Sequence, residues 1–145
     1  MKSLHVLCSM ALLSLLLFSC NAQKKVNIAP EKVGKDAKIP VLEWDRKMVE
    51  LGKIQKGDIR EFDYTFTNVS NIPMQLEIVT TCHCTTLEYP SSTKVFKKGE
   101  SGTIKATFDS SEKEESEKID ITIILANTDA KGYPIIEEVF FSYEF

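Results

Sequence analysis

The chain has 145 residues, a net formal charge of −3, and 43% hydrophobic and 27% charged residues. Set apart from an N-terminal leader, that length supports one hydrophobic core and not two comfortable domains. Lysines interleaved with acids exclude a nucleic-acid surface, and four cysteines are too few for a disulfide-dense scaffold.

Lys2 is followed by an almost unbroken apolar run from Val6 to Phe18. A basic start and an apolar stretch shorter than the roughly 20 residues of a spanning helix mark a secretory signal over residues 1–19. Leu17-Phe18-Ser19-Cys20 resembles the lipobox of bacterial lipoproteins. That resemblance implies acylation of Cys20, with chains such as palmitate, and a mature protein that begins there. Ordinary cleavage near Ala22, discarding Cys20, is the alternative. Several acyl chains, at about 0.8 kcal/mol per buried CH₂, hold a protein to a bilayer without a spanning segment.

Residues 20–38 lack hydrophobic periodicity, carry Pro30 and Gly34 as breakers, and read as a lipidated N-terminus with a flexible tether. As a coil this segment reaches about 23 Å. Asn21-Ala22-Gln23-Lys24-Lys25 has no acidic run after the cysteine. The expected location is therefore the bacterial cell envelope, lipid-anchored and facing the periplasm.

From residue 39 to 145 the dominant period is two. Phe62, Tyr64 and Phe66 alternate with Glu61, Asp63, Thr65 and Thr67, and Leu76 and Ile78 keep the same beat. Ile104, Ala106 and Phe108 follow, then Ile119, Ile121, Ile123 and Leu125, and finally Val139, Phe141, Tyr143 and Phe145. Turn residues separate these runs at Gln55-Lys56-Gly57-Asp58, Ser70-Asn71-Ile72-Pro73, Lys98-Gly99-Glu100 and Asp129-Ala130-Lys131-Gly132. Ser110 to Glu117 reads as a solvated loop. Short half-buried strands with turns about every ten residues predict an all-β, antiparallel immunoglobulin-like β-sandwich of about seven to eight strands.

The order of the segments carries a resemblance. Phe62-Asp63-Tyr64-Thr65-Phe66-Thr67-Asn68, then Pro73 to Ile78, then Thr81-Cys82-His83-Cys84-Thr85, then Gly99 to Ile104 resembles the bacterial domain of unknown function numbered 1573. The resemblance spans about residues 44–145 and implies an immunoglobulin-like or major-sperm-protein-like sandwich, often carried by exported lipoproteins. His83 stands where that family's Ser-Cys-Gly-Cys-Thr segment has glycine.

Cys82-His83-Cys84 is the candidate site. On a strand the two thiols would share one side and His83 the other, whereas a turn would gather all three. Soft thiolates suit Cu(I), with Met48 and Met74 as candidate thioether partners, although methionine in an apolar pattern is more often core. Structural zinc wants four ligands, and the mature chain offers no second Cys or His pair. An oxidising compartment allows a disulfide, which so short a spacing would strain. Structural sulfurs, redox thiols and a metal site all stay open.

Catalysis has little footing elsewhere, because a hydrolytic triad needs a histidine base and His83 is the only histidine after the leader. Glu114-Glu115 and Glu137-Glu138 read as solvated surface. The expected function is a non-enzymatic protein-interaction or structural module: monomeric, without cofactor, tethered to the membrane through Cys20 and engaging an envelope protein. A small Cu(I) or thiol-redox protein centred on Cys82 and Cys84 is the alternative.

Overall fold

A computed structural model describes residues 41–145. Cys20, the signal and the tether lie outside the described residues, as do Ile39 and Pro40. The elements are β1 (Leu42–Trp44), β2 (Met48–Lys53), β3 (Ile59–Asn68), β4 (Met74–Thr80), β5 (Thr85–Glu88), β6 (Val95–Phe96), β7 (Ser101–Asp109), β8 (Glu117–Thr128) and β9 (Pro134–Glu144). Among the described residues there is no helix. Four strands form one sheet in the order β1-β3-β7-β5, and five form the other, β2-β9-β8-β4-β6.

The sandwich follows from alternation, since each strand has one apolar face and only a second sheet can cover it. Tyr64, Phe66, Ile104, Ala106 and Phe108 project inward from the four-stranded sheet. Leu76, Ile119, Ile121, Ile123, Leu125, Val139 and Phe141 meet them from the five-stranded sheet. Phe62 points inward at the rim, half-buried, with its ring 4.9 Å from that of Phe141. Tyr64 buries its ring and donates its hydroxyl to the carbonyl of Phe140, 2.6 Å away on the opposite sheet. This satisfies the one polar atom that a buried tyrosine brings.

The first two strands belong to different sheets. β1 runs antiparallel to β3, then the chain turns through Asp45 to Lys47 and β2 joins the other sheet, parallel to β9. One parallel pair thus enters an otherwise antiparallel fold, because a strand that changes sheet without reversing must lie along its new neighbour. The register of β2 shifts between Glu50 and Lys53, where Gly52 takes a φ of +70°. The first edge is also capped: Asp45 accepts from the Thr65 N–H, and the Arg46 guanidinium donates to the Asp63 carbonyl and carboxylate.

Four local expectations are corrected. Ile78 faces solvent, 46% exposed, because a bulge between Leu76 and Ile78 reverses the strand's phase and turns Val79 inward. Phe145 lies past the end of β9 and is exposed. Glu137 is buried, because the β9 alternation puts it on the inner face at the rim, where its carboxylate meets Lys47 Nζ at 2.9 Å. Ser110 is also buried, not solvated, and its hydroxyl donates to the carbonyls of Gln55 and Asp58.

Candidate functional site

The two ends of the sandwich are built differently. At one, β3 finishes on Asn68, which sits in the inward phase and is fully buried. Its amide nitrogen donates to the carbonyls of Ile72 (2.8 Å) and Phe96 (2.9 Å), and its oxygen accepts from the N–H and hydroxyl of Ser70. Asn127 does parallel service beside it, accepting from the Gln75 N–H and donating to the Pro73 carbonyl. Gly102 lets Phe66 and Phe96 close over this end: a Cβ there would stand 2.5 Å from Phe66 Cζ and 2.8 Å from Phe96 Cε1.

At the opposite end, residues 82–85 carry the chain from β4 to β5, and so from one sheet to the other. The segment is a tight turn, closed by the Thr85 N–H donating to the Cys82 carbonyl at 3.2 Å. The Asp109 N–H donates to the Cys84 carbonyl at 2.9 Å, and the Thr81 hydroxyl to the Asp120 carbonyl at 2.7 Å, so both flanks are fixed to neighbouring strands. Cys82 and Cys84 are joined by a disulfide, with Cα atoms 5.3 Å apart.

Both sulfurs are half-buried against the core, and the Thr85 hydroxyl lies 3.6 Å from Cys82 Sγ and 3.8 Å from Cys84 Sγ. His83 does not turn in toward them. Its exposed ring places Nε2 3.1 Å from Glu112 Oε2. Beside the turn opens a cleft of about 410 Å³ lined by Ile59, His83, Cys84, Asp109, Ser111 and Glu112, among others. Hydrogen bonds from the Ser111 hydroxyl and N–H hold the Asp109 carboxyl below the usual carboxylate range.

As a ligand set, this arrangement offers little. The two thiols are committed to each other, and among the described residues no group of three or more His, Cys, Asp and Glu side chains is placed to hold a metal ion. Of the thioether candidates, Met74 is core at 1% exposure, while Met48 stands on β2 opposite Phe140.

A second feature lies on the outer faces. Ile78, Ile124 and Ile136 occupy one cross-strand row over β4, β8 and β9, with Ile78 and Ile136 (57%) well exposed. Met48 and Phe140 form another apolar pair two rows away, where Lys118 Nζ covers the Phe140 ring at 4.2 Å. The other sheet presents hydroxyls and charges: Thr67 to Ser101 at 2.8 Å, Thr65 to Thr103 at 3.4 Å, and Asp63 opposite Lys105. Alternation alone would have put Ile78 inside, so the row was hidden from sequence reasoning. Asn68 left a visible signal, a polar side chain in an apolar phase. Glu112 left none, because it meets His83 from a loop 29 residues away, and Thr85 left none because its contact with the sulfurs depends on the turn's conformation.

The architecture defines an immunoglobulin-like sandwich whose sheet-to-sheet crossover is closed by a Cys-x-Cys disulfide. The chain belongs to the family described as Protein of unknown function (DUF1573), which matches residues 42–136. Among curated proteins no sequence matches. The fold is similar to the VesB protease of Vibrio cholerae (18% identity, TM-score 0.59), covering 73% of this chain and 32% of that one. It is similar also to a protein of unknown function from Porphyromonas gingivalis W83 (20% identity, TM-score 0.58), covering 81% of this chain and 49% of the other. The chain thus spans a third to a half of those two proteins. The PapD-like domain of human CEP192, at 7% identity and TM-score 0.50, matches over 72% of this chain and 84% of its own. At these identities the likeness establishes the fold alone.

Proposed function

We propose that this protein is an envelope lipoprotein, tethered through acylated Cys20 and facing the periplasm, whose sandwich is a non-enzymatic docking module for another envelope protein. The observation that carries this reading is the Ile78-Ile124-Ile136 row. Three β-branched apolar residues aligned across the outer face of a sheet gain nothing in water, and such a patch is typical of a recognition surface. The outer face of the neighbouring sheet carries a single exposed isoleucine, Ile59, among hydroxyls and charges, and no such row. The sequence Leu17-Phe18-Ser19-Cys20 supports the anchor, and the tether would let the domain stand clear of the bilayer.

Site-specific photo-crosslinking in intact cells tests the docking surface. A photoreactive residue at position 78 or 136 should yield one discrete adduct, and at position 61 or 103 none. Equal adducts from both faces, or none from either, would remove the support for a dedicated surface. The anchor is tested separately: Cys20→Ala should move the protein from the membrane to the soluble periplasmic fraction, and persistence in the membrane would contradict lipidation.

A further inference from the structure

We propose that the Cys82–Cys84 bridge is a thiol–disulfide exchange site, at which a dithiol of an envelope reductant attacks Cys84 and Cys82 is the leaving sulfur. This goes beyond the docking reading and stands without it.

One observation assigns these roles and two more support exchange at the bridge. First, Cys84 lines the cleft with Ile59, His83, Asp109 and Glu112 and Cys82 does not, so a thiolate that enters by the cleft meets Cys84. Access decides which sulfur of a disulfide is attacked. Second, the Thr85 hydroxyl is 3.6 Å from Cys82 Sγ and 3.8 Å from Cys84 Sγ, so a rotation of its hydrogen aims a donor at the thiolate that develops as the bridge opens. Third, the turn is held by backbone hydrogen bonds as well as by the bridge. The hydrogen bonds from Thr85 N–H to the Cys82 carbonyl and from Asp109 N–H to the Cys84 carbonyl involve no sulfur atom, so they can hold the opened thiols as neighbours that close again. A cross-link over a single intervening residue removes little entropy from the unfolded chain, so fold stability alone is a weak reason for it.

The reaction conserves atoms and electrons. A thiolate of the reductant attacks Cys84 Sγ, a mixed disulfide forms, the Cys82–Cys84 bond breaks and its electron pair leaves on Cys82. The second thiolate of the reductant then attacks the reductant's first sulfur in the mixed disulfide, forming the reductant's own disulfide and releasing Cys84 as thiolate. Two electrons pass to the cysteine pair, the two protons lost by the reductant's thiols are balanced by two taken up at Cys82 and Cys84, and the reductant ends as a disulfide.

The test uses full-length folded protein with dithiothreitol as the dithiol, quenched with iodoacetamide and read by peptide mass at residues 82–84. Reduction should go to completion without denaturant, leave the far-ultraviolet dichroism unchanged, and reverse on adding cystamine. Its rate should stay within about twofold in Gly102→Ala, which weakens the far end of the fold; a bridge reached only by global unfolding would instead react faster as stability falls. Of the single variants, Cys82→Ala, with Cys84 free, should take up cystamine about tenfold faster than Cys84→Ala, and Thr85→Val should slow reduction several-fold. Reduction that requires denaturant, a rate that tracks stability, or faster capture at Cys82 would each overturn the assignment.

Discussion

The Asn68 end and the Cys82–Cys84 end face the same problem, joining two sheets where strands run out and backbone groups lose partners. The Asn68 end solves it with a fully buried side chain that makes four hydrogen bonds, beside the Phe66 and Phe96 rings that close over Gly102. The other end uses a short covalent link, half-buried beside an open cleft. A buried hydrogen-bond network is costly to disturb, because each loss strands a partner that water cannot reach. A small covalent ring at the surface is cheap to open. The contrast assigns architecture to the first end and leaves the second free for chemistry.

The largest effect should come from breaking the buried end. Asn68→Ala removes the amide that serves the Phe96 carbonyl and the Ser70 N–H, leaving the Ile72 carbonyl to the Ser70 hydroxyl, and should cost about 3 kcal/mol in urea unfolding. A loss below about 1 kcal/mol would mean that water replaces the amide. Gly102→Ala comes next, at about 2 kcal/mol, since its methyl must displace one of two interlocked rings. Replacing both Cys82 and Cys84 with Ala should cost about 1.5 kcal/mol or less, as expected for so short a loop; a loss as large as that of Asn68→Ala would make the two ends equivalent.

Near the cysteine end, burial and a hydrogen bond to Glu117 push the Tyr143 hydroxyl up to about 12. The unfolded chain releases this proton near pH 10 and the folded one does not, so the stability it contributes is present below pH 10 and declines from there toward pH 12. Melting temperatures across that window should fall less steeply in Tyr143→Phe than in the parent. The smallest effect belongs to His83→Ala, which removes only an exposed pairing with Glu112 and should change stability by no more than about 0.5 kcal/mol. A larger change would place His83 in the architecture of the turn.

Much of the fold was legible in the sequence because a strand's two faces alternate without reference to the rest of the chain. Tyr64, Phe66, Ile104, Phe108, Ile121, Ile123 and Phe141 declare their direction locally, and all are buried. The segments around Asn68 and Cys82-His83-Cys84 also carried the family resemblance. What failed was phase after an irregularity. A single extra residue between Leu76 and Ile78 moves everything after it to the other face, and no local preference of Glu77 announces it.

The sequence by itself therefore determined the all-β class, the inward faces of the regular strands and the one segment where sulfur chemistry could occur, since periodicity and residue type are properties of neighbours along the chain. Only the tertiary structure decided that the cysteines meet across a turn, that Thr85 lies under them, that Glu112 reaches His83, and that three isoleucines align on one outer face. The first two depend on the backbone of one turn, which hydrogen bonds to β7 and β8 hold in place; the last two depend on residues tens of positions apart that come together only when the core closes.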